Sequence, residues 1–173
     1  GDQPGIGQLM AVDVGGATTD VYSIADGLPE RANTVYKGLP EPYVKRTVEG
    51  DIGMRYSIHG IVDAAGMERV AGLSGLTVPR CRALVERLSR ETDALPDTPE
   101  LEALDYALAS LAVETAAIRH AGTLEEAYTM MCLTYVQTGK DLTGVEQLVV
   151  TGGTLIYARR TAKIAAHAFF DPN

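Results

Sequence analysis

Leu9-Met10-Ala11-Val12-Asp13-Val14-Gly15-Gly16-Ala17-Thr18-Thr19-Asp20-Val21 runs from an apolar stretch into an aspartate, two glycines, two threonines and a second aspartate, and then turns apolar again. That order predicts a strand over 9–14, a tight turn, and an antiparallel partner over 20–25 with alternating apolar positions. Asp26-Gly27-Leu28-Pro29 reads as the turn that closes it. Beyond a loop holding Pro40 and Pro42, Tyr43-Val44-Lys45-Arg46-Thr47-Val48 supplies a third strand. The chain therefore opens as a β-meander and not as a βαβ unit.

Helical patterning follows. Met54, Ile58, Ile61 and Ala65 recur at steps of three and four, which predicts a helix over 52–65. From 66 to 122 the character changes. Gly72, Gly75 and Pro79 interrupt the chain, and Arg82 to Thr92 forms a charged amphipathic helix. Asp97-Thr98-Pro99-Glu100 announces another helix, with Leu101, Leu104, Leu108 and Leu111 as its buried stripe and Gly122 at its end. Thr123-Leu124-Glu125-Glu126 fits a capping box, which predicts a helix running to about Gly139 with Met130, Met131, Leu133 and Val136 along its core face. Gln147 to Thr151 is a strand, Gly152-Gly153 a turn, and 154–169 a helix. The expected fold class is α/β (mixed α+β): three antiparallel strands plus at least one parallel strand, with a helical insertion. Its divisions are 1–65, an inserted helical subdomain over 66–122, and 123–173.

Composition removes several function classes. With 173 residues and 46% hydrophobic content, a folded core is expected. No apolar run reaches the roughly 20 residues of a membrane span, so a soluble, cytoplasmic protein is expected. The net charge of −8, with scattered Lys and Arg, argues against nucleic acid as partner. The two cysteines, Cys81 and Cys132, lack metal-ligand spacing, and His59, His120 and His167 stand alone.

The chemistry lies in the glycine turns. Without a Cβ, glycine lets backbone amides approach an anion, and successive N–H groups pointing one way cradle a phosphate. Thr18 or Thr19 can add a hydroxyl. Asp13 and Asp20 repel a phosphate unless Mg²⁺ lies between them, usually through water, and an acid so placed can orient an attacking water. An ordinary glycine hairpin turn, its threonines satisfying the backbone, accounts for the same residues. Thr151-Gly152-Gly153-Thr154, a strand entering a helix, offers a second place for close approach by a polar ligand. Neither turn carries P-loop or dinucleotide-fold spacing.

Two such turns with an insertion between them resemble the actin, sugar kinase and heat-shock chaperone ATPase superfamily. Its ribonuclease-H-like lobes carry a D-x-G-G-x-T-x-D phosphate hairpin, here Asp13 to Asp20, and a later strand-Gly-Gly adenosine motif, here Thr151 to Thr154. Gly50-Asp51 is similar to the pair that opens the helix after the third strand. More specific is Gly38-Leu39-Pro40-Glu41-Pro42-Tyr43-Val44-Lys45-Arg46-Thr47-Val48-Glu49-Gly50-Asp51-Ile52-Gly53-Met54-Arg55. With the glycine hairpin before it, this segment resembles the glutamate (methylaspartate) mutase accessory family, of MutL type and unrelated to mismatch repair.

That resemblance, which covers the whole chain, implies an ATP-dependent, chaperone-like reactivating factor for an adenosylcobalamin-dependent mutase, with ATP/ADP and Mg²⁺ as cofactors. It implies that Gly15, Gly16, Thr18 and Thr19 hold phosphates and that Asp13 and Asp20 order Mg²⁺ and water. Asp13, Thr18 and Asp20 would be the catalytic set, with Gly152, Gly153 and Thr154 facing the adenosine. Family members have two lobes around a cleft, whereas one phosphate hairpin stands here. The expectation is a second, C-terminal lobe whose N-terminal partner lobe is missing, with weak nucleotide binding and negligible hydrolysis alone. A lobe of a small-molecule kinase or ATP-using hydrolase, or a nucleotide-independent interaction domain, remains the competing reading.

Overall fold

The structure, a computed structural model, describes residues 7–153, 155, 158 and 160–169. It is a mixed α/β fold with two separate sheets. The larger has the order β4-β2-β1-β7, built from β1 (Leu9–Val14), β2 (Thr19–Ile24), β4 (Val44–Glu49) and β7 (Gln147–Thr151). β1 pairs antiparallel with β2, β2 antiparallel with β4, and β1 parallel with β7. This is the sheet that the meander and the late Val-rich strand predict.

One face of this sheet is closed by helix. Met10, Val12 and Val14 of β1 and Thr19, Val21 and Ser23 of β2 are buried there, beneath α4 (Pro99–His120), which crosses β1 and β2. α4 begins where Thr98 Oγ1 accepts from the Leu101 amide at 3.3 Å, with Pro99 in the first turn. Its predicted leucine stripe is buried throughout, but so are Asp105, Ser110, Glu114 and His120. A helix enclosed on nearly all sides loses its polar face, and its polar groups must find protein partners.

Around α4 pack α1 (Ile58–Ala65), α2 (Met67–Ser74) and α5 (Thr161–Ala166), with a 3₁₀ turn over His167–Phe169; α3 (Val78–Arg90) packs on α1 and α2. One hydrophobic cluster joins Val12, Val21, Ile61, Val70, Leu88, Leu108 and Ile164. The helices of 66–122 thus share the core of the sheet. The opposite face of the sheet is open, and Val44, Val48 and Val149 stand half-exposed on it.

Three expectations need correction. The helix expected over 123–139 is a hairpin, β5 (Thr123–Tyr128) and β6 (Leu133–Thr138), paired from Thr123↔Thr138 to Tyr128↔Leu133. Its threonines, tyrosines and Val136 favour the pleated chain, and Thr129 Oγ1 accepts from the Cys132 amide at 3.1 Å to close the turn. Met130 and Met131, expected in a core, are fully exposed at its tip. A strand not expected, β3 (Thr34–Lys37), pairs parallel with β6 and completes the second sheet, β3-β6-β5.

The helix expected from residue 52 starts only at Ile58, although Met54 is buried with Ile58 and Ile61 as its periodicity requires. Residues 52–57 instead form bends and turns that pass under the first glycine turn. Of the expected terminal helix, α5 and the 3₁₀ turn are present, while Leu155 and Ala158 lie in turns closed by Leu155 N→Gly152 O and Ala158 N→Leu155 O, both 3.0 Å. Thr154 lies outside the described residues. Among the described residues no helix is long and apolar enough to cross a membrane.

Candidate functional site

Parallel pairing of β1 with β7 puts Asp13 level with Thr151. Both strands therefore leave the sheet at the same end, and the two glycine turns, 137 residues apart in sequence (Gly15 to Gly152), stand side by side. Gly152 has φ +135°, and a Cβ there would lie 2.1 Å from the Val14 carbonyl oxygen. Only glycine permits that approach. A Cβ on Gly153, by contrast, would meet nothing within 4 Å.

The first turn is braced from below. The Gly15 amide donates to Thr18 O at 2.9 Å; Met54 N donates to Gly15 O at 3.0 Å; Arg55 N and Tyr56 N both donate to Gly16 O at 2.9 Å. Gly53 is forced by the same contact, since its Cβ would fall 2.4 Å from the Ala17 carbonyl carbon. The Gly50–Tyr56 segment thus gives up helix to hold the turn by its carbonyls. This leaves the amides of Gly16, Ala17 and Thr18 with no acceptor among the described residues, an arrangement suited to an anion.

The predicted residues divide into two groups. Thr18 is half-buried, and its hydroxyl has no partner among the described residues. Thr19 is fully buried and its hydroxyl donates to Ile52 O at 3.0 Å, so it braces the turn and does not face a ligand. Asp13 and Asp20 are directly opposite on β1 and β2, on the open face. Asp13 is exposed and without an ion pair among the described residues. Asp20 accepts two hydrogen bonds from Arg46, from Nε at 2.9 Å and from Nη2 at 2.6 Å. The hydrogen bond to Asp20, with Tyr22 nearby, holds the Arg46 guanidinium still more firmly cationic than usual.

Two residues that sequence reasoning passed over complete the end of the sheet. Arg55, 5% exposed, donates from Nη1 and Nη2 to the two carboxylate oxygens of Asp105 at 2.9 and 2.8 Å, and from Nη2 to Ala94 O at 3.1 Å. Its backbone holds Gly16 while its side chain holds α4. Its place in a nominal helix hid this, because an arginine among apolar positions reads as a solvated face. Beside Asp105 a cleft of about 270 Å³ opens between the first half of α4 and the chain after Gly152. Pro99, Tyr106, Leu155 and Ile164 line it, and the Arg160 guanidinium lies 5.3 Å from the Tyr106 ring centroid.

The donor set suits a phosphorylated ligand and a hard cation: three turn amides, one hydroxyl and two carboxylates at one end of the sheet, with a cleft of mixed apolar and charged lining alongside. No group of three or more His, Cys, Asp or Glu suited to an all-protein metal cage occurs among the described residues. A magnesium ion held by two carboxylates, water and phosphate does not require one.

The family model described as "MutL protein" matches residues 1–173. The Protein MutL of Clostridium tetanomorphum is 39% identical over 169 residues, covering 98% of this chain and 37% of that relative. The chain therefore spans little more than a third of its relative's length. No solved structure matches it.

Proposed function

Since the chain belongs to the MutL protein family, we propose that it is the nucleotide-binding lobe of an accessory factor for an adenosylcobalamin-dependent mutase such as glutamate mutase. The observation that carries the nucleotide part is the meeting of the two glycine turns at one end of the sheet, with the amides of Gly16, Ala17 and Thr18 left without acceptors. The sheet order, three antiparallel strands with β7 parallel beside β1, supports the ribonuclease-H-like resemblance.

In this reading the amides of residues 16–18 and the Thr18 hydroxyl hold the β- and γ-phosphates of ATP or the phosphates of ADP. Asp13 and Asp20 hold Mg²⁺ through water. Gly152 and Gly153 let the nucleotide pass close to the backbone, and the cleft beside Tyr106 takes its nucleoside. Magnesium, when bound, offsets the phosphate charge between the carboxylates. Asp13 or Asp20 orients a water, and a wall contributed by another lobe is needed to exclude bulk solvent before that water reacts at a useful rate. The biological role is chaperone-like: nucleotide state governs the hold on a mutase whose cobalamin has been damaged.

Calorimetric titration of ADP with Mg²⁺ tests the first part. Weak saturable heat that disappears in Asp13→Asn and falls in Thr18→Ala supports it, and no heat in the wild-type chain refutes it. Nucleotide-dependent capture of purified glutamate mutase tests the second part.

A further inference from the structure

We propose that Arg46 is a displaceable counter-cation, occupying Asp20 until a divalent metal ion takes its place. This rests on the nucleotide reading above and deepens it, by naming what sets the metal affinity of the site. Asp13 faces Asp20 across β1 and β2, and Arg46 faces Tyr22 across β2 and β4, one pair further along on the same face. Two carboxylates directly opposite one another repel. Arg46 relieves that repulsion by placing both donors on one oxygen, Oδ1 of Asp20. Oδ2 of Asp20 and the whole Asp13 carboxylate receive nothing among the described residues.

Exposure decides whether such a cation can leave. The Arg46 side chain is 57% exposed, and its guanidinium stands 5.4 Å from the Tyr22 ring centroid. When it swings away its charge returns to water. Arg55, by contrast, has a side chain only 6% exposed and holds both oxygens of Asp105. Leaving that pair would strand a charge in the core. Asp20 itself is only 16% exposed, but a pair whose cation is open to water is weak enough for a doubly charged ion to replace. With Arg46 in place, Asp13, Asp20 and Arg46 sum to one negative charge; without it the metal meets two.

The test is titration of Mn²⁺ alone, followed by the electron paramagnetic resonance of the free aqua ion, into the wild-type chain, Arg46→Gln and Arg46→Lys, each repeated with ADP. Arg46→Gln should bind Mn²⁺ about fivefold more tightly, while Arg46→Lys, which keeps the charge, stays within about twofold of wild type. The sign separates this role from a structural one, since a loosened sheet end weakens metal binding. Asp20→Asn, which removes ligand and latch together, should weaken it in either background. Equal or weaker Mn²⁺ binding by Arg46→Gln overturns the proposal. Tighter Mn²⁺ binding without any ADP binding supports the latch and refutes the nucleotide reading.

Discussion

Lowering the pH from about 7 to about 5 should destabilise this fold through one residue, His120. At the C-terminal end of α4 its imidazole is fully buried, with Nδ1 2.7 Å from Thr47 Oγ1 and Nε2 2.8 Å from Ser23 Oγ. Lys140 Nζ donates to the same Ser23 oxygen at 3.1 Å, and a neutral ring that accepts the Ser23 proton at Nε2 and donates its Nδ1 proton to Thr47 satisfies all of these groups. That network is complete for a neutral ring. Burial, and then the nearby Lys45 and Lys140 charges, push the pKa from 6.5 to about 4, against a small opposing effect of Glu41.

The sign follows from proton uptake. Between those values the unfolded chain takes a proton that the folded chain refuses, so stability is full above 6.5 and is lost as the pH falls toward 4. The loss from this group is about 2 kcal/mol between pH 7 and pH 5, and about 3 kcal/mol by pH 4. Urea unfolding followed by circular dichroism, at several pH values on wild type and His120→Gln, isolates it. Carboxylates also contribute at the acid end. Burial works against the Glu114 carboxylate, but Arg69 and His167 hold it below its ordinary range. That contribution appears in both proteins and cancels in the difference. An imidazole that titrates near 6.5 by nuclear magnetic resonance, or a variant with the wild-type pH slope, would refute the reasoning.

Three further outcomes are expected. Gly152→Ala, with a Cβ 2.1 Å from Val14 O and φ +135°, should cost roughly 3 kcal/mol or more and abolish ADP heat, while Gly153→Ala, whose Cβ meets nothing, should melt within a few degrees of wild type. Asp105→Ala strands the Arg55 guanidinium, 6% exposed, with backbone acceptors alone; the expected loss is about 3 kcal/mol, read by urea unfolding. Met130→Ser with Met131→Ser, both at the exposed tip of the β5–β6 hairpin, should change stability by less than about 0.5 kcal/mol; a large loss would return these side chains to a core.

How far the sequence carried depended on whether a signal was local. The apolar run over 9–14, the alternation over 20–25, the Thr-Pro start of α4 and its leucine spacing are local, and the structure has each of them, the second strand one residue earlier at Thr19–Ile24. Thr123-Leu124-Glu125-Glu126 is locally a helix start as well, yet it pairs with residues 135–138 of β6, which gains a third strand from residues 34–37, about a hundred positions away. Propensity at four residues cannot register that partner. The same holds at the site. The Asp-Gly-Gly-Thr pattern marks the first turn, but the pairing of Arg46 with Asp20 depends on the β2–β4 register, and the Arg55–Asp105 strut spans 50 positions.

By itself, then, the sequence determined the meander, the glycine turns, the burial stripe of α4 and, through Gly38 to Arg55, the family. Each is written in neighbouring residues or in a contiguous pattern. Only the tertiary structure decided that the turns at Gly15 and Gly152 meet, that Thr19 points into the core while Thr18 does not, and that Asp20 already carries a cation. Those outcomes depend on sheet register, in which a shift of one residue moves every side chain to the opposite face.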